Sequence, residues 1–242
     1  LVRSRWLGDV YKRQDNMPPV LRFFVRNKIK KSLGGNLRTF IVGAAAIDPN
    51  IIESFYKIGF KALQGYGLTE CSPLVAGNND FFYKADSVGL PIPNVEYKIN
   101  NPDDQGVGEI IVKGPNVMLG YYNDPEATDN VFKKGWFYTG DLGYIDDDGF
   151  LYITGRCKSV IVTQNGKNIY PEEIEYYLNA SPLVKECIVL GVNYKGDKET
   201  YVNAKLLPDI EAFKEYLNKD DISDTDIKKE FKKLISEVNK KL

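Results

Sequence analysis

The sequence predicts an α/β fold in successive parts, and three observations support this prediction. Residues 20–64 alternate between helical and strand-like patterns. Residues 87–153 contain short β-like runs separated by glycine and proline, a pattern typical of a small β-rich subdomain or barrel. After residue 156 the chain returns to a mixture of helices and strands. We therefore expect a layered α/β part with a β-barrel-like subdomain over residues 87–156, followed by a small α+β part with a three-stranded sheet.

The first third of the chain predicts two helix–strand pairs. Residues 20–33 place apolar side chains at helical spacing and end before two glycines, and residues 37–42 have the composition of a short buried strand. Pro49 opens a second helix at a first-turn position, where its missing N–H costs nothing. Gly59 ends that helix, residues 61–64 form a strand, and the Gly-Tyr-Gly sequence that follows predicts a turn.

The remaining elements follow from local patterns in the same way. The Asp-Asp-Asp-Gly sequence at 146–149 predicts a hairpin turn between two of the β-like runs. Pro171, followed by two acids, opens a helix. The last predicted helix, residues 225–241, has one apolar face and a lysine-rich face. Acids are mixed among these lysines, so we interpret the lysines as a solvated surface. Strands are predicted at residues 96–99, 108–113, 135–138, 142–145, 150–153, 159–163, 186–191 and 200–206.

Composition excludes several classes of function. The formal net charge is −1, whereas a nucleic-acid-binding domain is expected to be basic. No apolar run reaches the roughly 18 residues of a membrane span, although this leaves peripheral contact with a membrane open. The chain contains no histidine, which excludes a Ser-His-Asp or Cys-His mechanism, or a histidine-ligated metal site, built within this chain. Chemistry in this chain must use carboxylates, lysine, arginine, hydroxyls and backbone amides.

The three cysteines, Cys71, Cys157 and Cys187, are far apart and odd in number. They match no metal-ligand spacing and no disulfide framework, and we expect reduced thiols in a cytoplasmic protein. Residues 1–14 have no apolar run after their basic residues, so they do not form a signal peptide. We expect them to be a non-native or disordered leader.

The strongest candidate binding motif covers residues 64–70. Gly65 and Gly67 flank Tyr66, so the backbone can turn sharply and approach a ligand closely, while the tyrosine offers a flat face for a base. Thr69 adds a hydroxyl, and Glu70 adds a hard oxygen ligand suited to Mg²⁺. Taken alone, the segment is equally compatible with a tight turn around a packed tyrosine.

Three further positions have the residue types of a nucleotide site. Asp141 follows a Thr-Gly turn, and its carboxylate could accept two hydrogen bonds from the vicinal hydroxyls of a ribose or could cap a turn. Arg156 ends a predicted strand, where it could bind a phosphate or sugar hydroxyl or form a surface ion pair. Gly166 and Lys167 lie in a glycine-centred loop before a helix N-terminus, which favours anions but is also an ordinary strand-to-helix connection.

These segments, in this order, resemble the core motifs of the adenylate-forming superfamily. That superfamily contains acyl-CoA synthetases, peptide-synthetase adenylation domains and luciferases. The resemblance runs from residue 21 to the end, and residues 45–49 and 67–73 are most similar to long-chain fatty-acid–CoA ligases. The matching segments are Gly43-Ala44-Ala45-Ala46, Tyr66-Gly67-Leu68-Thr69-Glu70, Gly108-Glu109-Ile110 with Gly120-Tyr121-Tyr122, Tyr138-Thr139-Gly140-Asp141, Gly155-Arg156, and residues 165–175.

The resemblance implies a two-step reaction. A carboxylate, here expected to be that of a fatty acid, attacks the α-phosphate of ATP and gives an acyl-adenylate and pyrophosphate. The thiol of CoA then attacks the acyl carbonyl and releases AMP. Mg²⁺ is the implied metal. Such transfers depend on positioning and charge neutralisation more than on a base, so the absence of histidine is no objection.

The resemblance also implies a role for each candidate residue. Within the first motifs, Tyr66 would stack on adenine beside the loop of Gly43, Ala44 and Ala45, with Gly65 and Gly67 shaping the turn. Thr69 would touch the α-phosphate, and Glu70 would hold Mg²⁺. Asp141 and Arg156 would hold the ribose hydroxyls. Lys158 would occupy the hinge of the mobile small domain, and the loop of Gly166 and Lys167 would line the pantetheine tunnel.

Two family features are missing from the sequence. No glycine-, serine- and threonine-rich phosphate loop precedes Gly43, and no glycine-containing segment with the adenylation lysine follows the last helix. We therefore expect the carboxyl-terminal half of a synthetase. Residues 15–156 would end the large AMP-binding domain and residues 157–242 would form a truncated small domain. Since each missing element contributes charge stabilisation worth about 10²- to 10³-fold in rate, we expect the 242-residue chain alone to be inactive.

Two alternatives remain open at this point. One is another adenylating ligase, such as an aryl-CoA synthetase, an acyl-carrier-protein ligase or a peptide-synthetase adenylation domain. The other is a nucleotide-binding remnant without catalysis, which would keep the adenine and ribose contacts and lack both missing elements.

Overall fold

The computed structural model describes residues 19–43, 47–57, 59–163, 167–193 and 200–242. The structure is mixed α/β, as predicted, and divides into two compact units. The first unit holds the described residues up to 139 together with 143–153, and the second holds 140–142 together with the described residues from 154 onward. Among the described residues, no helix is both long enough and apolar enough to cross a membrane.

The first unit begins with a four-stranded sheet. Its strand order is β1-β2-β3-β4, with β1 parallel to β2 and the other neighbours antiparallel. The parallel pair follows from the helix between its two strands, because a parallel connection needs a crossover. The elements are helix α1 (Pro19–Ser32), strand β1 (Thr39–Val42), helix α2 (Pro49–Lys57), and strands β2 (Lys61–Gly67), β3 (Leu74–Gly77) and β4 (Leu90–Pro91).

A five-stranded sheet follows, in the region predicted to be β-rich. Its order is β5-β6-β8-β7, and β9 pairs with β8. Two separately predicted strands, 135–138 and 142–145, are one continuous strand in the structure. The elements are strands β5 (Glu96–Asn100) and β6 (Gly108–Lys113), helix α3 (Pro125–Val131), and strands β7 (Phe132–Lys133), β8 (Trp136–Ile145) and β9 (Leu151–Arg156).

The core of the first unit is contributed by strands of both sheets. Its fully buried side chains include Val75, Ile110, Val112 and Leu151. Burial of such side chains contributes about 1.5–3 kcal/mol each, so this cluster contributes substantially to the stability of the unit. The core packs beneath β2 and β3 and thereby supports the segment that carries the first candidate motif.

The predicted hairpin turn at 146–149 is present and is tied to a distant segment. The N–H of Gly149 donates to the carbonyl of Asp146 at 2.9 Å, and Gly149 has φ 86°. The ammonium of Lys84 lies 2.5 Å from Asp146 and 2.7 Å from Asp148. The hydrogen bond to Asp146 raises the pKa of Lys84, and the same bond lowers the pKa of Asp146. Lys84 therefore fixes the hairpin to the chain that precedes β4.

The second unit contains helices and two-stranded sheets. Strand β10 pairs with β11, and β12 pairs with β13 over a long antiparallel ribbon. Ile161, Leu178, Val189 and Val238 form one buried cluster, and a second is centred on Phe213. The elements are strands β10 (Ile161–Val162) and β11 (Asn168–Ile169), helix α4 (Pro171–Asn179), strands β12 (Val184–Asn193) and β13 (Thr200–Pro208), and helices α5 (Ile210–Leu217) and α6 (Asp224–Val238).

Several local predictions were wrong. Gly65, Tyr66 and Gly67 lie in strand β2 rather than in a turn, because extended backbone there packs against the chain that returns after the next turn. Helices α3 and α5 were not predicted, although each has an aspartate N-cap, Asp124 and Asp209. In the described part of the second unit both sheets are two-stranded, not three-stranded. Both helices are short, but each had start signals in the sequence: the aspartate cap, a glutamate in the first turn and, in α3, Pro125 at a first-turn position.

Helix α6 begins with a reciprocal capping box that should make stability depend on pH. Ser223 and Asp226 cap each other, and Lys219 donates to Asp226 at 2.9 Å. The Lys219 hydrogen bond, followed by those from Ser223, lowers the pKa of Asp226 to about 2. A folded-state pKa below the unfolded one gives stability that is present above the unfolded pKa and lost as pH falls through the folded one.

We therefore expect Asp226→Asn to lower the urea midpoint of the second unit at pH 6 and to have a shrinking effect as pH falls from about 4 to 2. Far-UV circular dichroism during urea unfolding at several pH values measures this. Asp224→Asn is the matched control, because it removes a charge from the same first turn without removing the capping bonds. An Asp226→Asn effect that stays constant from pH 6 to pH 2 would contradict this assignment.

Candidate functional site

The end of the parallel strand pair places two predicted adenine-binding residues, Gly43 and Gly65, next to each other. Val42, the last residue of β1, pairs with Gln64 in β2, so Gly43 comes to lie next to Gly65. A Cβ built on Gly43 would be 3.7 Å from the carbonyl oxygen of Gly65. The carboxyl ends of neighbouring parallel strands are where ligands bind in open α/β sheets. Ala44 and Ala45, predicted to lie beside this point, are outside the described residues.

Gly67 is required by a close backbone approach. A Cβ at this position would lie 1.8 Å from the carbonyl oxygen of Pro73, which no side chain could tolerate. Gly65 is less crowded, since its Cβ would meet the carbonyl oxygen of Ala76 at 3.2 Å. Tyr66, between the two glycines, is half-buried and packs against the core of the first unit. The glycines therefore allow strand β3 to pair closely with the end of β2. Tyr66 is fixed by its packing against the core.

Thr69 and Glu70 lie on a single 3₁₀ turn, Thr69–Cys71, immediately after β2. Cys71 is fully buried and anchors the turn. Burial raises the pKa of the Cys71 thiol to about 11, with a smaller contribution from the charge of Glu70, so Cys71 is an inert packing residue rather than a nucleophile. Ser72 ends the turn with φ 54°. Thr69 is exposed and Glu70 half-exposed, so both side chains are accessible to a ligand.

The segment 114–122, which we call the clamp segment, holds this turn in place. The side-chain amide of Asn116 donates to the carbonyls of Cys71 at 2.9 Å and Leu74 at 2.7 Å. The N–H of Met118 donates to the carbonyl of Glu70 at 2.7 Å. The hydroxyl of Tyr121 donates to Oε1 of Glu70 at 3.0 Å.

Sequence reasoning assigned no role to Asn116 or Tyr121. The only available signal was the Gly-Tyr-Tyr sequence at 120–122, which resembled a family motif without indicating a contact. Burial raises the pKa of the Tyr121 phenol, and the hydrogen bond to Glu70 adds to this increase. The phenol is therefore a hydrogen-bond donor at neutral pH.

The residues around Glu70 fit a magnesium ion that is shared with a phosphate ligand. Within the part of the chain that the structure describes, no group of three or more acidic or sulfur ligands is assembled, so no all-protein metal cage is seen. Mg²⁺ commonly binds through one or two carboxylates plus substrate phosphates. A single accessible carboxylate with one oxygen already hydrogen-bonded provides such a donor set.

Asp141 and Arg156 come together in the second unit. Nε of Arg156 lies 3.0 Å from Oδ1 of Asp141, and the side chains are 68% and 7% exposed respectively. The N–H of Cys157 donates to the carbonyl of Gly140 at 2.8 Å, which joins the two strands at this point. Arg156 thus forms an ion pair, as the alternative to a ligand-binding role predicted, and its partner is the other predicted ribose ligand. Their contact with a ribose stays a prediction.

The remaining predicted residues lie near strands β10 and β11. Lys158 is exposed in the turn after β9. The carbonyl of Lys167 accepts hydrogen bonds from the N–H and hydroxyl of Thr163, at 3.1 and 3.0 Å. These bonds close the base of the loop that contains Gly166, a residue outside the described part of the chain. The hinge role of Lys158 and the tunnel role of Lys167 stay predictions.

Comparison with known proteins shows what the chain is similar to. Residues 16–122 match the model of the AMP-binding enzyme family. It is 44% identical over 157 residues to the long-chain-fatty-acid–CoA ligase of Escherichia coli O6:H1, covering 62% of this chain and 28% of the relative. It is 39% identical over 189 residues to the long-chain-fatty-acid–CoA ligase FadD15 of Mycobacterium bovis, covering 78% and 30%. The chain thus spans less than a third of the length of these curated relatives.

Solved structures give the same class. The fold is similar to o-succinylbenzoate coenzyme A synthetase from Bacillus subtilis in complex with ATP and magnesium, with a TM-score of 0.64 and 36% identity over 71% of this chain and 37% of that one. It is also similar to an ATP-bound RpMatB-BxBclM chimera, with a TM-score of 0.66 and 36% identity over 75% and 37%. The predicted resemblance to adenylate-forming enzymes is therefore confirmed.

Proposed function

We propose that this chain is part of an ATP-dependent, AMP-forming acyl-CoA synthetase that activates a fatty acid and transfers it to CoA. The observation that carries the proposal is the clamped turn, which presents Thr69 and Glu70 at the end of β2 in a chain 39–44% identical to long-chain-fatty-acid–CoA ligases. One relative of similar fold is described as bound to ATP and magnesium, which supports the same ligands here.

In the first unit, the proposed mechanism assigns binding and charge neutralisation to the end of β2. The face of Tyr66 would stack on the adenine ring, and the backbone at Gly43 and Gly65 would lie beside it. The Thr69 hydroxyl would donate to the α-phosphate, while Glu70 would supply a carboxylate oxygen to Mg²⁺. The ion, when bound, would neutralise phosphate charge. Fixed groups of this kind need no reorganisation during the reaction, which is the main source of their catalytic effect.

In the second unit, Asp141 is the proposed acceptor for the ribose hydroxyls. Its carboxylate is buried and oriented by Arg156, so the hydroxyl contacts would be made in a partly desolvated place where charge-assisted hydrogen bonds are strong. Arg156, which is largely exposed, would add a donor to the same sugar. We further propose that Lys158 acts as a hinge and that the loop ending at Lys167 contacts the pantetheine arm of CoA.

The proposal is tested by exchange of labelled pyrophosphate into ATP, and by CoA-dependent AMP release, in the complete protein that carries this chain. Each assay compares a long-chain fatty acid with an aromatic carboxylic acid and with no acid. Fatty-acid-dependent activity supports the proposal. Activity only with the aromatic acid selects the aryl-CoA alternative, for which the similarity to o-succinylbenzoate coenzyme A synthetase is the supporting observation. Nucleotide binding without activity selects the non-catalytic alternative.

We expect Asp141→Asn to weaken AMP binding roughly ten- to hundredfold, because a hydrogen bond to a charged group contributes about 1.5–3 kcal/mol. Isothermal titration of AMP into the complete protein measures the change. Asp147→Asn, which alters an exposed aspartate in the neighbouring hairpin turn, is the matched control and should bind AMP as the unaltered protein does. Equal affinities of the two variants would remove Asp141 from the proposed ribose site.

A further inference from the structure

We propose that Tyr121 is a positioning residue for Glu70, and that its hydroxyl orients the Glu70 carboxylate toward the magnesium ion that accompanies the nucleotide. This inference rests on the proposed function, because it concerns the same ion. It extends that function to a tyrosine on the clamp segment, 51 residues further along the chain than the carboxylate it contacts.

The two oxygens of the Glu70 carboxylate have different hydrogen-bonding environments. Oε1 accepts the hydrogen bond from the Tyr121 hydroxyl at 3.0 Å. Within the part of the chain that the structure describes, this is the only hydrogen bond made by that carboxylate, and Glu70 remains half-exposed. One oxygen is therefore fixed by the protein while Oε2 is left to a ligand. A hydrogen-bonded second oxygen is the usual means by which proteins orient a metal-binding carboxylate.

Hydrogen bonds also join the backbone of the Glu70 turn to the clamp segment that carries Tyr121. The N–H of Met118 donates to the carbonyl of Glu70 at 2.7 Å. The side chain of Asn116 donates to the carbonyl of Cys71 in the same turn and to that of Leu74 at the start of β3. The hydroxyl of Tyr121 thus approaches Glu70 from a segment whose register against the turn is already fixed. Tyr121 has lost part of its exposure to make this contact, whereas the adjacent Tyr122 is 92% exposed.

The Tyr121 hydroxyl therefore adds only orientation, since the turn itself is held by backbone and amide contacts. Tyr121→Phe removes the hydroxyl and keeps the ring, so the clamp segment should stay folded. Loss of a partner that orients a metal ligand typically weakens metal affinity about ten- to hundredfold. Tyr122→Phe makes the same chemical change one residue away and is the matched control.

The experiment is a titration of Mn²⁺ into the complete protein that carries this chain, with ATP present and no acid substrate, followed by electron paramagnetic resonance of free Mn²⁺. We expect Tyr121→Phe to raise the dissociation constant at least about tenfold and Tyr122→Phe to leave it unchanged. A double-mutant cycle adds Glu70→Gln: in that background Tyr121→Phe should have almost no further effect. A purely structural role of Tyr121 would give the same loss in both backgrounds.

Two outcomes overturn the inference. The first is equal Mn²⁺ binding by the Tyr121→Phe and Tyr122→Phe variants. The second is a Tyr121→Phe effect that persists in full without the Glu70 carboxylate. Neither outcome requires catalytic turnover, so the Mn²⁺-binding result is independent of the test of the proposed function. A protein without fatty-acid-dependent exchange but with Mn²⁺ binding coupled through Tyr121 and Glu70 would refute the proposed function and keep this inference.

Discussion

Replacement of Gly67 by alanine is expected to destabilise the first unit by about 2–4 kcal/mol, because the added methyl group overlaps fixed backbone. The new Cβ would lie 1.8 Å from the carbonyl oxygen of Pro73 and 2.9 Å from the Cα of Leu74. Neither neighbour is a flexible side-chain end, so β2 and β3 would have to separate at the turn that carries Glu70. Urea unfolding of the chain, followed by circular dichroism, measures the loss.

Gly77→Ala is the matched control for that prediction. Gly77 lies in the adjacent strand β3, and a Cβ there would meet no atom within 4 Å. Its urea midpoint should change little, or rise slightly because alanine restricts the unfolded chain. Equal midpoints for the Gly67 and Gly77 variants would show that the turn after β2 is not packed as described. Nucleotide binding should be lost only in the Gly67 variant, since the turn presents Thr69 and Glu70.

Replacement of Glu70 by glutamine should lower the rate of acyl-adenylate formation by about 10²- to 10³-fold, the cost of removing one preorganised charge-stabilising group. The substitution keeps the volume and the hydrogen bond that the Tyr121 hydroxyl donates, and it removes the charge proposed to hold Mg²⁺. Pyrophosphate exchange at rising Mg²⁺ concentrations in the complete protein measures the effect. Part of the lost rate should return at high Mg²⁺, because weakened binding is offset by mass action.

The control for Glu70 is Glu96→Gln, which makes the same chemical change at an exposed position on β5 of the same unit. Its exchange rate and Mg²⁺ dependence should match those of the unaltered protein. A Glu70→Gln variant that keeps more than about a third of the rate would be too active for a group of this kind. In that case Glu70 would be a capping or packing residue of the turn, the alternative that its sequence context also allowed.

The sequence alone determined the fold class, the order of most elements and the resemblance to adenylate-forming enzymes. Long helices with a clear apolar face, such as the one ending at Val238, were placed within a few residues, because periodicity over several turns is a strong signal. Charge balance and the absence of histidine restricted the chemistry to carboxylates, hydroxyls and basic side chains. The order of short motifs indicated the adenylate-forming class, which the comparisons confirmed.

Only the tertiary structure showed the backbone conformation and the long-range contacts of the residues around the candidate site. Gly65 and Gly67 read as a turn in sequence, but they are extended, and Gly67 is required by the return of Pro73 six residues later. Asn116 and Tyr121 contact the Glu70 turn from 45 and 51 residues further along the chain. Such contacts depend on which strands pair, and pairing is set by the burial of the shared core rather than by local pattern. The sequence therefore predicted the candidate binding groups, and the fold showed which residues contact them.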